Sequence, residues 1–563
     1  MFDAIVVGSG MSGGWSAKEL AERGLKVLVL ERGFNVKPED HYSDTQAPWE
    51  QPFFNQIPQD EIEKHYPIQY RGVAYAVKHS NKHFWVKDDE HPYSVEPGTD
   101  YDWLRGYHLG GRSVTWGRQS YRMSDIDFDA NKKEGVGIDW PVRYDEIKPW
   151  YDHVERFAGI AGANEGLEQL PDGVFQPPFA LTDAELAFKD RVERQFPGRK
   201  VINARVAHIT DPTEEQIVLG RAPCQVRNLC SRGCTFKAYF SSLNATLPAA
   251  ERTGNCTIKT DAIVTSLNHD AQTGKVTGVN VIDQNTKERT TYSAKLIFLN
   301  ASAIASAMIL LNSATEGAAN GLANRSGQVG RNLMDHVSAS GASGLMSGFD
   351  HLTIFGRRPG GIYIPRYANI TEHDKPYSRG FGYQGGAGPI NLSLANQPGI
   401  GAEFKSRHQA PGPWRIRIYA FGEILPNPDN RVTLHPTKKD RWGQPIAHFD
   451  CRMGKNEQVM MDAAREDAIA MLEAAGCTNI EAPKRDLTLP GNRIHEMGSA
   501  RMGHDPETSV LNKWCQAHDV PNLFITDGSF MTSAGCQNPS LSYMAFSARA
   551  AHYAADKLAA NAI

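Results

Sequence analysis

The sequence lacks a long apolar run. Its most continuous apolar stretches, residues 4–7 and 26–30, fall far short of the roughly 20 residues that a bilayer span needs, so the chain is expected not to cross a membrane by itself. It also lacks an excess of either charge. With 60 Lys and Arg against 64 Asp and Glu, no basic surplus recommends nucleic acid as a partner and no acidic block suggests a solvating tail. Cysteine is scarce: eight in 563 residues cannot staple a disulfide scaffold. Five of them, Cys256, Cys451, Cys477, Cys515 and Cys536, are scattered. The first residues, MFDAIVVG, enter an apolar run without the basic leader and small-residue cleavage site of a secretory signal. The expectation is a protein that stays in the cytoplasm or leaves on another protein's signal.

At about 100 to 200 residues per domain, the length suits two or more domains. Residues 3–33 read as strand, tight turn, helix and strand, over 4–7, 8–13, 15–22 and 26–30. Gly8, Gly10 and Gly13 fit G-x-G-x-x-G, with Ser12 inside the turn. Such glycines let the backbone approach a pyrophosphate at a helix amino end, where free N–H groups and the helix dipole favour negative charge. Glu31, about twenty residues on, can accept hydrogen bonds from a ribose, and Arg32 beside it joins the same candidate set. These residues suit FAD and NAD alike.

Residues 34–100 are rich in Pro, Asp, His and aromatics without a sustained period, and read as an irregular excursion. A connection of that length borders a site or forms a solvated insertion. The segment LGGRS at 109–113 pairs Gly110 and Gly111 ahead of Ser113. Paired glycines let a backbone lie against a flat ring; the alternative is a plain turn. A helix opens near residue 143, after a proline turn.

Cys224, Cys230 and Cys234 form C-x5-C-x3-C, with Gly233 easing the last turn. Three thiolates on one loop are a plausible iron-sulfur ligand set, because iron takes soft sulfur donors. Reduced loop cysteines or a partial zinc site are the alternatives. Alternating stretches at 257–259, 264–267 and 278–282 predict a small antiparallel layer; 295–300 reads as a strand and 301–311 as a small-residue helix. Further alternation at 361–365, 415–421 and 431–434 predicts antiparallel strands, and 456–475 a helix. A sheet backed by helices there would roof a cavity. Trp414, Tyr419 and Glu423 are candidates for lining it, with core or surface packing as the alternative.

The last eighty residues carry HEMGSARMG at 495–503, NLFITDGS at 522–529 and QNPS at 537–540. An imidazole and a carboxamide on separate glycine-flanked turns can point at one hydroxyl, His495 to accept its proton and Asn538 to hold its oxygen.

Taken together, the 8–13 loop with Glu31, LGGRS at 109–113, VGRNLMDH at 329–336, NRVTL at 430–434, His495, DGS at 527–529 and Asn538 with Pro539 resemble the glucose-methanol-choline flavoprotein oxidoreductases. The likeness runs from one end of the chain to the other. It implies a mixed α/β fold of that type, with a Rossmann-like FAD-binding domain at 1–345 and 490–563 and a discontinuous antiparallel-sheet substrate domain. The latter is expected at 346–489; the FAD-binding domain is expected to carry a Cys loop at 221–240 and possible substrate-domain insertions at about 34–100 and 140–205. It also implies FAD, with Asp527, Gly528, Asn538 and Pro539 near the flavin and His495 beside its reactive nitrogen. Covalently flavinylated relatives have a histidine two residues after the serine of the glycine turn; Thr115 stands there, so the FAD is expected to be noncovalent.

Within that family the chain is most similar to bacterial dehydrogenases of sugars, glycosides and sugar acids. Their glucose dehydrogenase subunits carry a 3Fe-4S cluster on a loop with the spacing of Cys224, Cys230 and Cys234. The resemblance implies a small subunit bearing a twin-arginine signal, a haem cytochrome c acceptor and a periplasmic location. Trp140-Pro and the segment 239–250 resemble glycoside 3-dehydrogenases, so the expected reaction is oxidation of carbon 3 of glucose or a glucoside. Glucose oxidation at carbon 1 and gluconate or sorbitol oxidation stay open. A lyase on the same fold and a noncatalytic flavin-binding partner are the competing classes.

Overall fold

In a computed structural model, residues 1–563 are described except 75, 339, 355, 357, 391–398, 410, 411 and 485. Val, Ile and Ala fill Phe2–Val7 because this strand sits inside a parallel sheet covered on both faces. Val27–Leu30 lies parallel on one side of it and Arg289–Leu299 parallel on the other. Leu523–Phe524 adds to the far side of the latter. The helix Met11–Glu22 starts directly after the glycine turn and packs against Ser540–Ala559 and Thr246–Arg252. Trp15 is buried in that packing, edge-on to Phe157 with ring centroids 5.2 Å apart.

One expected pairing is different. Cys256–Lys259 does not join the antiparallel layer; it lies parallel to Val27–Leu30, with Val27 opposite Cys256 and Leu30 opposite Lys259. The helix Thr246–Arg252 just before it supplies part of the crossover that a parallel neighbour requires. The antiparallel layer consists of Ala262–Asp270, Lys275–Asp283 and the first half of Arg289–Leu299. That last strand serves two sheets: Arg289 to Ser293 pair with the layer, and Ala294 to Leu299 pair with Phe2–Val7. Its burial changes accordingly, from exposed to buried along its length.

Residues 34–100 form short helices, Pro38–His41, Gln59–His65 and Pro67–Val73, and the two-residue strand Ser94–Val95. The second large sheet runs, in spatial order, Thr478–Glu481, Gly341–Met346, Trp414–Glu423, Phe381–Pro389, Ile362–Ile364 and Ile202–Asn203, all antiparallel. The helices Lys455–Ala474 and Asp183–Gln195 pack on one face, where Trp414, Ile416, Ile418 and Ala420 are buried. Side chains alternate along a strand, so Arg415, Arg417, Tyr419 and Phe421 take the other face and line the central cavity. Trp414 therefore belongs to the core under the helices. Tyr419 lines the cavity, while Glu423 is buried against Arg379, 3.3 Å away.

Candidate active site

The glycines of the first turn differ in what they face. A Cβ on Gly13 would stand 1.9 Å from the Gly8 carbonyl oxygen, and one on Gly8 would stand 2.3 Å from that of Asn300. Both positions are closed by backbone. A Cβ on Gly10 would meet nothing, because Gly10 opens on the cavity. Glu31 is buried and accepts from the Ser9 amide at 3.1 Å, the Ser9 hydroxyl at 2.6 Å and the Gly33 amide at 2.9 Å. Burial raises its carboxyl pKa. The Arg32 guanidinium lies 3.8 Å over the Tyr107 ring, and its Nε has no hydrogen-bond partner.

The paired-glycine turn is tied to that loop. Gly110, at φ 85°, donates its N–H to the Ser9 hydroxyl at 2.9 Å. Ser113 donates to the Gly110 carbonyl at 2.6 Å and shares a 2.9 Å bond with Ser242, whose hydroxyl reaches the Ser9 carbonyl at 2.7 Å. Asp527 caps the turn Gly528–Phe530 and accepts from Ser306 at 2.5 Å. A Cβ on Gly528 would stand 2.2 Å from the Glu496 carbonyl, so this turn lies flat against the segment that carries His495.

These pieces surround one cavity of about 1880 Å³, above the roughly 300 to 1,000 Å³ of ordinary small-molecule pockets. Gly8, Gly10, Ser12, Glu31, Arg32, Gly111, Ser113, Asp527, Gly528, His495 and Asn538 line it, as do Cys224, Cys230 and Cys234. Gly13, Gly110 and Pro539 stand behind the wall: Gly13 closes the first turn, Gly110 starts the second, and Pro539 caps the helix Ser540–Ala559. An open concavity beside a glycine turn and a helix amino end, floored by a buried acid, fits a dinucleotide.

At the cavity wall the Nδ2 of Asn538 lies 3.4 Å from the Nε2 of His495. The other nitrogen of His495, Nδ1, is 2.8 Å from Nδ1 of His336. Burial, reinforced by His336, Arg493 and Arg112, pushes the His495 pKa well below its ordinary value, so the ring is neutral and able to act as a base at pH 7. Asp335 holds both histidine backbones, accepting from the His336 amide at 2.8 Å, the His495 amide at 3.0 Å and the Arg493 amide at 2.9 Å. Burial and then Glu496 push its pKa up to about 7. Glu496 in turn takes a two-pronged ion pair from Arg112, at 3.0 and 2.5 Å. Asp335, His336 and His495 bring ligand atoms within 4.8 Å of one another, but both Asp335 oxygens are taken by backbone N–H groups and the two imidazoles face each other.

Two residues at this end carry no role in the sequence reading. Gln384 donates its Nε2 to the Oδ1 of Asn538 at 2.6 Å. It sits on Phe381–Pro389, a glycine-rich stretch without the apolar alternation that marks a strand. His336 closes a motif visible in the sequence, yet nothing local says that its ring meets His495, 159 residues away.

The three cysteines, all free, gather around Ala238 and Tyr239. Burial and the neighbouring thiols push Cys224 up to about 11, and burial raises Cys234. The surroundings are short of hydrogen bonds. Tyr42 Oη, Ser43 Oγ, Asp44 Oδ1, Arg118 Nε and His208 Nδ1 are buried and unpartnered. Each belongs to this neighbourhood: the Tyr42 ring abuts Gly233, Ser43 and Arg118 hydrogen-bond the loop backbone, Asp44 pairs with Arg227, and His208 bridges to Tyr239. Free and lining the cavity, Cys224, Cys230 and Cys234 offer a set of soft sulfur donors.

Residues 2–338 and 426–547 match GMC oxidoreductase. Over 570 residues the chain is 28% identical to the fructose dehydrogenase large subunit of Gluconobacter japonicus, covering 98% of this chain and 97% of that one. It is 29% identical over 580 residues to the 2-methyl-1,2-propanediol dehydrogenase of Mycolicibacterium austroafricanum, covering 98% and 94%. The formate oxidase of Aspergillus oryzae shares the fold, with a TM-score of 0.61 at 15% identity over 100% of this chain and 99% of that one. The chain belongs to the GMC oxidoreductase family and is an enzyme that acts on CH–OH groups with FAD.

Proposed function

We propose that the chain is a dehydrogenase of sugars or glycosides that oxidises a secondary hydroxyl, with carbon 3 of glucose or a glucoside as the preferred position. The observation that carries this is the neutral imidazole of His495 and the carboxamide of Asn538, 3.4 Å apart on the wall of the cavity that also contains the dinucleotide turn. A hydroxyl placed between them gives its proton to His495 Nε2 while Asn538 Nδ2 holds the oxygen as it becomes a carbonyl. When bound, FAD supplies the acceptor for the hydride of that carbon. Gly8, Gly10, Ser12, Glu31 and Arg32 hold its dinucleotide part, and Gly111, Ser113, Asp527 and Gly528 hold the rest. The hold is noncovalent, since Thr115 offers no imidazole. Above the pair the sheet presents Arg417, Tyr419 and Phe421, polar groups and aromatic faces that suit the hydroxyls and C–H faces of a sugar. The relative that is a fructose dehydrogenase supports the substrate class.

Cys224, Cys230 and Cys234 would hold a 3Fe-4S cluster, whose chemistry there is one-electron transfer toward an outer acceptor. A cytochrome c suits that acceptor, and a small subunit with a twin-arginine signal suits export to the periplasm. The relative named as a large subunit supports a multi-subunit assembly.

The test is an anaerobic spectrum of the purified holoenzyme before and after D-glucose, methyl α-D-glucopyranoside, D-fructose, D-gluconate and D-sorbitol, followed by carbon NMR of the products. Flavin bleaching with the glucoside and a 3-keto product supports the reading. A lactone from glucose replaces carbon 3 with carbon 1. No bleaching with any of the five removes the sugar assignment.

A further inference from the structure

We infer that a single hydrogen-bond chain, anchored on the Gly535 carbonyl, fixes which atom of the catalytic pair accepts and which donates, with His336 and Gln384 as its positioning residues. The inference rests on the reading of His495 as the base. Its starting point is the one group in the chain with no choice. The Gly535 carbonyl can only accept, and His336 Nε2 lies 2.8 Å from it, so His336 carries its proton on Nε2. Burial holds this ring neutral, pushing its pKa down to about 4. Its Nδ1 is then a bare lone pair.

The consequences pass along link by link. His336 Nδ1 faces His495 Nδ1 at 2.8 Å, so His495 must supply the proton of that bond, and its Nε2 is left bare. Asn538 meets that bare Nε2 and must present its NH₂ rather than its oxygen, since two acceptors would repel. The Asn538 oxygen then points away and takes the Nε2–H of Gln384 at 2.6 Å. All donors therefore run one way: Gln384 to Asn538, Asn538 to His495, His495 to His336, His336 to Gly535. The end result is an accepting atom and a donating atom side by side, the arrangement that a substrate hydroxyl needs.

In turnover the substrate O–H bond breaks and an Nε2–H bond forms on His495; no other proton changes place. The bond from His495 to His336 then becomes charge-assisted and stronger. His495 is faced by His336 and Asp335 from one segment, Arg493 and Glu496 from its own, Arg112 from the paired-glycine turn and Asn538 from the loop before the last helix. Arg112 is occupied by Glu496, which leaves the neutral His336 lone pair as the acceptor in contact with the protonated ring.

The test uses holoenzyme labelled with 15N-histidine at pH 7 and correlation spectra that separate the two tautomers, with His495 assigned by its loss in His495→Asn. The expected result is His495 protonated on Nδ1 and His336 on Nε2. In His336→Leu the His495 signal moves to a mixture of tautomers, and anaerobic flavin reduction by the most active sugar of the panel slows roughly 10- to 100-fold, with little change in the half-saturating concentration. His336→Asn, whose carbonyl can accept from His495, recovers most of that loss. A wild-type His495 protonated on Nε2, a tautomer unmoved by His336→Leu, or an Asn variant as slow as the Leu variant overturns the inference. The wild-type spectrum decides the direction of the chain even if His336→Leu does not fold. The expected tautomers together with an undiminished rate in His495→Ala would keep the chain and discard His495 as the base.

Discussion

The two ends of the cavity differ in how their candidate functional groups are partnered. At the His495 end the catalytic pair is locked: both rings, the carboxamide and Gln384 form consecutive hydrogen bonds, and Asp335 pins the backbone beneath. At the cysteine end, five buried polar atoms have no partner, and Val226, Asn228 and Lys237 hold the left-handed region without being glycine; the His495 end shares these features in part, with Ile494 at φ 66° and Arg493 Nε and Gln537 Oε1 unpartnered. Each unpartnered buried group costs about 1 to 3 kcal/mol. The contrast teaches that the residues proposed to handle the substrate proton are joined to one another by hydrogen bonds, whereas the three thiols lie free beside unpartnered polar atoms.

That comparison breaks first at His495. His495→Ala should lower the anaerobic rate of flavin reduction by about 100-fold or more while leaving flavin bound, as read by stopped-flow bleaching against the flavin content. A rate within a few fold of wild type would dissolve the locked end as a catalytic device. Next comes the cysteine end. In Cys230→Ala the loss of cytochrome c reduction should exceed the loss of flavin reduction roughly tenfold, with the cluster's paramagnetic signal gone. Equal losses would mean that the loop is structural.

A smaller effect sharpens the same contrast. Asp44 accepts from Arg227 at 2.5 Å and from the Thr235 amide and hydroxyl at 3.0 Å each, so it ties the cysteine loop to the 42–44 segment. Asp44→Ala should release iron to a chelator several-fold faster and leave flavin reduction untouched; chelator absorbance followed over time checks it.

A separate effect, on stability rather than on rate, tests the locked end. His336 has a folded-state pKa of about 4, below its ordinary 6.5. Its contribution is therefore present above pH 6.5 and is lost as pH falls toward 4, because the unfolded chain takes up the proton first. This one group accounts for about 3 kcal/mol across that window. His336→Asn should lose correspondingly less stability between pH 7 and pH 4.5, measured by denaturant midpoints. A variant with the wild-type pH dependence would show that His336 is not buried and neutral.

How much of this was legible in the sequence follows from the range of the interactions. The dinucleotide turn was, because Gly8, Gly10, Gly13 and Glu31 lie within one strand-turn-helix-strand unit whose spacing is set locally. The candidate pair His495 and Asn538 and the cysteine spacing were readable as residue types on short turns. The partners of the pair were not. His336 and Gln384 reach it across 159 and 154 residues, and Gln384 lies on a strand whose glycines hide its alternation. The parallel pairing of Cys256–Lys259 was missed for a related reason: four residues reveal a strand, while the direction of its neighbour depends on the crossover before it. Trp414 was placed with Tyr419 as a cavity candidate, although five residues of strand put them on opposite faces.

The central claim is that flavin, catalytic pair and cysteine loop share one cavity and act in sequence. It is tested most directly by adding methyl α-D-glucopyranoside to anaerobic holoenzyme while following flavin absorbance and the cluster's electron paramagnetic resonance in the same sample. The expected result is flavin bleaching followed by loss of the oxidised-cluster signal, with both changes abolished in His495→Ala. A preparation whose flavin bleaches while the cluster signal stays constant, or one that holds no iron with full activity toward cytochrome c, would contradict it.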